Sequence, residues 1–155
     1  MSEALIAALG EGGLTIDHIG IVVPDLGAAI AFYRDALGCA IGATVRLEEH
    51  DIEVSFVDFA NARIELIAPL GRHAPPRTLL GDHTSADFLA RSPQGGLHHV
   101  CYLVPDLAAA LARLGAMGVK PLGTGRPEIG ASGKPIIFLD PATTGGTLVE
   151  LKQAG

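Results

Sequence analysis

The chain repeats itself, and the repeat limits the folds open to it. Residues 18–26 read HIGIVVPDL and residues 99–107 read HVCYLVPDL, a constant offset of 99 − 18 = 81. Each copy continues through a helical pattern closed by a glycine and ends on a strand-like segment, RIEL at 63–66 and LVEL at 148–151. The offset there is 150 − 65 = 85, so the second copy carries about four extra residues. Two copies are too few for a solenoid, which needs three or more to bury a continuous core. The repeat therefore predicts two similar modules within one domain.

Hydrophobic periodicity fills in each module. Leu14 to Val23 reads as a strand between a Gly-Gly and a Pro-Asp, with Ile16, His18, Gly20 and Val22 on one face. Asp25 then supplies an N-cap for a helix with apolar positions at Leu26, Ile30, Tyr33 and Leu37, and Gly38 supplies the stop. Three strands follow, over Ala40 to Leu47, Ile52 to Phe59 and Ala62 to Ala68, which makes the unit βαβββ. The second copy predicts a strand over Leu97 to Val104, a helix from Leu107 to Met117 closed by Gly118, and strands near Lys120, at Ile136 to Leu139 and at Thr147 to Lys152. Arg126 to Gly133 reads as a glycine-bearing loop over the site, and Ser85 to Arg91 as a short helix in the linker. The expected organisation is an N-terminal arm at 1–13, helical or frayed, then one α+β domain at 14–155. Its modules are 14–70 and 95–153, its linker is 71–94, and a curved mixed sheet surrounds a metal-binding cleft.

Composition excludes several classes. A chain of 155 residues buries enough surface to fold without a staple. A mean hydropathy of +0.38 accompanies no run of eighteen apolar residues, and Met1 to Gly12 lacks the pattern of a secretory signal. Cys39 and Cys101 form no disulfide framework, a buried free thiol is the expectation for Cys101, and a reducing cytoplasm is the expected location. The net charge of −6 argues against a nucleic-acid surface, leaving Arg72, His73, Arg77 and Lys134 as candidates for a local anion patch. No Walker loop, nucleophile elbow or dinucleotide fingerprint occurs; Gly10-Glu11-Gly12 is too short to count.

The duplication places His18 and His99, and Glu65 and Glu150, at equivalent points. Singly, a His or Glu in a strand is more often a satisfied or solvated residue than a ligand. As two equivalent pairs they suit a six-coordinate divalent ion with two positions left for water or substrate. His98 is the rival to His99, but strand alternation turns it to the opposite face, and the repeat aligns it with Asp17. His50, His73 and His83 lie in turn or loop sequence and are expected to be exposed.

These features resemble the vicinal oxygen chelate superfamily, and from Ile16 to about Ala154 the chain is similar to its methylmalonyl-CoA epimerases. The matching segments are DHIGIVV at 17–23, IELIAPLGR at 64–72, GGLHHV at 95–100, IGASGKPIIFL at 129–139 and GGTLVEL at 145–151. The first is generic to the superfamily; the last two are much more specific. The resemblance implies an epimerase that interconverts the (2R) and (2S) forms of methylmalonyl-CoA through a metal-stabilised enolate. Its ligands fall on His18, Glu65, His99 and Glu150; cobalt is the first choice of ion, with manganese, nickel or zinc as alternatives.

The substrate would be an acyl-CoA, and a homodimer is expected, with no membrane or nucleic-acid partner. Glu150 is one acid/base group. For the second, some relatives carry a glutamate in the third strand where this chain has Val54; Glu53 should face the other way, and Glu49 aligns with a turn glutamate of the family. Asp51 stands where many relatives have glycine, which leaves the form of that turn open. A glyoxalase I-like isomerase of thiol hemithioacetals and a ligand-binding protein of the bleomycin-resistance type remain as alternatives.

Overall fold

The computed structural model describes residues 2–155. In chain order the elements are α1 (Glu3–Leu9), β1 (Thr15–Val22), α2 (Leu26–Ala31) prolonged by a π-helical turn (Phe32–Ala36), β2 (Ala40–Ile41), β3 (Val45–Leu47), a 3-10 turn (Glu48–His50), β4 (Ile52–Asp58), β5 (Arg63–Pro69), α3 (Ser85–Arg91), β6 (Gly96–Val104), α4 (Leu107–Ala116), β7 (Glu128–Ile129), β8 (Pro135–Leu139), a 3-10 turn (Pro141–Thr143) and β9 (Val149–Gln153). The chain divides into two compact units. One holds His18–Arg77 and Gly81–His98; the other holds the chain up to Asp17, Thr78–Leu80 and His99–Gly155. Both main boundaries thus fall at the histidines that open the two repeats.

In the first unit the strands run in the order β2-β4-β5-β1, with β3 also on β4. β1 and β5, the opening and closing strands of the repeat, pair in parallel; β4 is antiparallel to β5 and to β2 and β3. Leu26 of α2 packs on Val57, Leu66 and Ala68, leaving the other face of β1 and β5 to His18, Gly20 and Glu65. The side-chain oxygen of Asp25 accepts the Ala28 N–H at 2.9 Å, as its place before the apolar pattern predicts, and Gly38 follows the helix with φ 70°. The expected strand over Ala40 to Leu47 is two pieces, β2 and β3. They are separated at Gly42, whose N–H still reaches the Phe56 carbonyl at 2.8 Å.

The second unit repeats the arrangement as β6-β9-β8-β7, with β6 and β9 parallel and the remaining pairs antiparallel. Leu107 and Ala110 of α4 pack on Val104, Ile137, Leu139, Val149 and Leu151. Fully burying a side chain such as Ile137 or Leu66 stabilises the fold by about 1.5–3 kcal/mol. Asp106 caps α4 as Asp25 caps α2, accepting the Ala109 N–H at 2.9 Å, and Gly118 follows with φ 84°. The N-terminal segment is helical and packs against α4.

The outer strand of this copy differs from expectation. Near Lys120 there is only a single bridge from Pro121 to Leu139, because proline has no N–H to continue a ladder. Strand β7 instead occupies part of the segment read as a loop over the site, and Gly130–Gly133 turns it back onto β8, with the Gly130 N–H on the Lys134 carbonyl at 2.9 Å. Both copies therefore break their outer strand.

Candidate metal centre

Each unit carries one buried His–Glu pair on its two parallel strands. In the first, β1 and β5 set Gly20 opposite Glu65 and His18 opposite Arg63. The missing side chain of Gly20 leaves the Glu65 carboxylate room to reach the imidazole. His18 Nε2 and Glu65 Oε2 lie 3.3 Å apart, with their side chains 3 % and 11 % exposed. Phe56, the cross-strand partner of Glu65, stands edge-on to the His18 ring, with centroids 5.5 Å apart and planes at 78°. An aromatic edge holds a ring orientation without competing for its nitrogens.

The second unit reproduces this arrangement. Cys101 occupies the place of Gly20, opposite Glu150, and His99 Nε2 lies 2.8 Å from Glu150 Oε2 with side chains 1 % and 5 % exposed. Phe138 is the cross-strand partner of Glu150 and stands edge-on to His99 at 5.1 Å and 90°. Nearby, Lys152, two residues beyond Glu150, donates to Asp17 Oδ2 at 3.0 Å in another largely buried pair. Phe56 and Phe138 were not singled out as site residues from sequence. Their offset, 138 − 56 = 82, was the available signal.

The rival residues are settled by geometry. His98 turns away from the His99 face, its Nε2 on the His83 carbonyl at 2.6 Å and its ring against Phe88. Cys101 is buried, as expected. His73 is exposed, whereas His50 and His83 are half-buried, contrary to the expectation for loop residues. The loops carrying them are tied down, His83 beside the capped start of α3 and His50 in the turn before β4.

Of the proposed anion patch, Arg77 is held by Asp87 at 2.9 Å and Asp82 at 3.2 Å, Arg72 meets Glu48 at 3.2 Å, and Lys134 is hydrogen-bonded to the Gly155 carbonyl. The Arg77 guanidinium holds the Asp87 carboxyl at about 2, helped by Thr84.

The carboxylates around β4 fall in three places. Val54 is fully buried and, with Phe56, shares the Glu65 face. Glu53 points the other way, to Arg46 at 3.4 Å. Glu49 is exposed in the turn before Ile52, and Ile52 pairs with Pro69. That rung is four residues beyond Glu65, about 13 Å along the strand.

A short structural device closes this end of the unit. Asp51 has φ 54° and ψ 39°, the one non-glycine residue with positive φ among the described residues. Its carboxylate accepts the Gly71 N–H at 3.0 Å and the Arg72 N–H at 3.1 Å, and its carbonyl accepts the Leu70 N–H at 2.7 Å. The left-handed turn that glycine commonly makes is here made by an aspartate fastened to the loop after β5.

Each unit's buried pair offers an imidazole and a carboxylate, donor types that suit a divalent metal ion. Comparison with known proteins agrees with the fold and supplies the family. The glyoxalase/bleomycin resistance protein/dioxygenase superfamily profile matches residues 17–138. An ethylmalonyl-CoA/methylmalonyl-CoA epimerase of Cereibacter sphaeroides is 45% identical over 138 residues, covering 89% of this chain and 96% of that protein.

The chain belongs to the methylmalonyl-CoA epimerase family. Solved structures of the family superpose on it. The Mycobacterium tuberculosis methylmalonyl-CoA epimerase has a TM-score of 0.79 at 27% identity, covering 100% of this chain and 93% of the other. A methylmalonyl-CoA epimerase in complex with methylmalonyl-CoA and NH4+ has a TM-score of 0.75 at 28% identity, covering 91% and 94%. The chain is thus an enzyme with the glyoxalase-like α+β fold of this epimerase family, built of two βαβββ modules. No helix among its described residues is long and apolar enough to cross a membrane.

Proposed function

We propose that His18, Glu65, His99 and Glu150 together hold one divalent cation, and that the chain epimerises methylmalonyl-CoA at C2, with ethylmalonyl-CoA as a second substrate. The observation that carries the reading is the matched pair of buried His–Glu contacts, one on the parallel strands of each repeat. The substrate is suggested by the family, through the relatives that act on it.

The C2 proton lies between a thioester and a carboxylate and is weakly acidic, so the enolate formed by its loss needs charge held ready. His18, Glu65, His99 and Glu150 would hold the cation, which would supply such charge when bound. The protein's own part is to orient the donors. Phe56 and Phe138 fix the two imidazole planes, and burial excludes water from the carboxylates.

Glu150 is the acid/base group for one face of C2. Glu49 was the second candidate, but its exposure and its distance along the sheet weigh against it. The reading also carries a cobalt preference over manganese, nickel or zinc, a homodimer and a cytoplasmic location. Metal analysis, sizing in solution and cell fractionation test these in turn.

The deciding experiment is proton NMR of methylmalonyl-CoA in deuterium oxide, with the protein as purified, after chelation, and after metal replacement. Loss of the C2 proton that stops on chelation and returns with metal supports the reading. Glu150→Gln is expected to slow it by about 10²–10⁴-fold, and Glu49→Gln far less. Folded, metal-loaded protein that leaves the proton in place overturns it.

A further inference from the structure

Part of the linker leaves its neighbours. Thr78–Leu80 belongs to the compact unit of His99–Gly155, although the residues on either side of it belong to the other. Sheet packing gives the excursion a reason. Helix α4 covers one face of β8 and β9, through Ile137, Leu139, Val149 and Leu151. Ile136 and Phe138 alternate to the opposite face, where they stand across from Lys152 and Glu150. An apolar sheet face is stable only when another element covers it. Leu79 supplies that cover. It is 6 % exposed, buried in one cluster with Ile136, Phe138 and Leu148, and Leu80 and Leu122 pack against the same cluster.

Backbone contacts fix this strap. The Thr78 carbonyl accepts the Thr124 N–H at 2.8 Å, and the Leu122 N–H reaches the Phe138 carbonyl at 2.9 Å. The loop at 122–124 therefore grips the strap with one residue and β8 with another. Gly123 lies between them at φ 61°, and an added Cβ there would overlap the Thr78 carbonyl, so the two backbones approach as closely as a glycine allows.

From the strap the contacts lead to a candidate ligand. Phe138, in the Leu79 cluster, meets His99 edge-on with ring centroids 5.1 Å apart, and His99 Nε2 lies 2.8 Å from Glu150 Oε2. A ring packed on every side holds one rotamer, whereas a ring beside a void is free to tilt. Phe138 is 4 % exposed, while Phe56, its counterpart in the first copy, is half-buried. The close cover belongs to the second copy.

We propose that Leu79 is a positioning residue for His99: from the linker strap it packs the bed of the Phe138 ring, and that ring fixes the imidazole plane. The service to a metal ion rests on the reading of His99 as a ligand; the orientation of the ring does not.

The test reads the imidazoles directly. Proton–nitrogen NMR of metal-free protein carrying isotopically labelled histidine, with signals assigned through His18→Gln and His99→Gln, is compared at one pH for Leu79→Ala, Leu79→Val, Leu79→Met and Leu107→Ala. Each protein is also titrated with cobalt(II) chloride by calorimetry. Leu79→Ala should move and broaden the His99 ring signals, leave those of His18 in place, and weaken cobalt about tenfold, the low end for loss of a group that orients a ligand. Leu79→Val, which leaves a smaller cavity, should do the same to a lesser degree, and Leu79→Met, which refills the volume, should restore both readouts. Leu107→Ala opens a cavity under α4 on the opposite face, and should lower the denaturant midpoint without moving the His99 signals.

His99 signals that stay in place in Leu79→Ala and Leu79→Val, or that move as far in Leu107→Ala, would overturn the proposal. So would a cobalt affinity, measurable in the wild type, that Leu79→Ala leaves unchanged. A wild type that takes up no cobalt would remove the metal reading, and the ring signals would still decide whether Leu79 orients His99.

Discussion

Asp51 offers a balance that can be weighed residue by residue. A non-glycine residue at φ 54° holds a conformation that costs about 1 kcal/mol relative to glycine, somewhat less for aspartate than for alanine. Against that stand the two backbone N–H groups received by its carboxylate, from Gly71 and Arg72. Each hydrogen bond to a charged acceptor contributes about 1.5 kcal/mol at the low end, appropriate to partly buried donors, or about 3 kcal/mol for the pair. Asp51→Gly removes the bonds and relieves the backbone, a net loss of about 2 kcal/mol. Asp51→Ala removes the bonds without relief and loses about 3 kcal/mol, and Asp51→Asn, keeping one acceptor, about 1 kcal/mol.

In a chain of 155 residues each kcal/mol moves the melting temperature by about 2–4 °C. Thermal and urea melts of the three variants should therefore rank Asn above Gly above Ala. Asp51→Gly should melt about 4–8 °C below wild type with an unchanged urea slope. If Asp51→Gly melts at or above wild type, the carboxylate does not offset the left-handed backbone, and the reasoning fails.

Two further outcomes follow from other parts of the fold. At Gly95, φ is 79° and an added Cβ would lie 2.2 Å from the Val22 carbonyl oxygen, so Gly95→Ala must displace the strand carrying His18. A loss of about 3 kcal/mol or more in denaturant melts is expected, and a variant of wild-type stability would refute it. Asp87, held at about 2 chiefly by Arg77, favours the folded state most fully above its ordinary value of 3.8. That contribution disappears as pH falls through about 2, so the melting-temperature gap between wild type and Asp87→Asn should narrow from pH 4 downward; a gap constant with pH would contradict the assignment.

The features legible in the sequence were those with a local or periodic cause. Asp25 announced its helix because an N-cap acts within three residues, and Ser85–Arg91 formed where expected because Thr84 and Asp87 close a capping box. Alternation chose His99 over His98, and the repeat assembled the two His–Glu pairs. The misplaced features depend on partners far away in the chain. Strand β7 exists because β8 offers it a ladder, and the left-handed Asp51 persists because a loop twenty residues on donates to it. Arg72 and Arg77 looked like cations open to a ligand until the fold set carboxylates beside them. Phe56 gains importance only through register and packing, which set it opposite Glu65 and edge-on to His18.

The parallel pairing of opening and closing strands has a consequence for how the protein comes to be made. His18 and Glu65 are 65 − 18 = 47 residues apart, and His99 and Glu150 are 150 − 99 = 51 apart. Neither pair is assembled by a local hairpin. Each closes a loop spanning its whole module, so contacts of this range form only once the intervening strands are in register. If the proposed ion draws on all four donors, it would have no comparable site on a half-built chain, and its binding energy would be added to the finished fold alone. The metal would thus act as an inspector of completed chains, and apo-protein should open and reclose more often than its loaded form without any change in architecture.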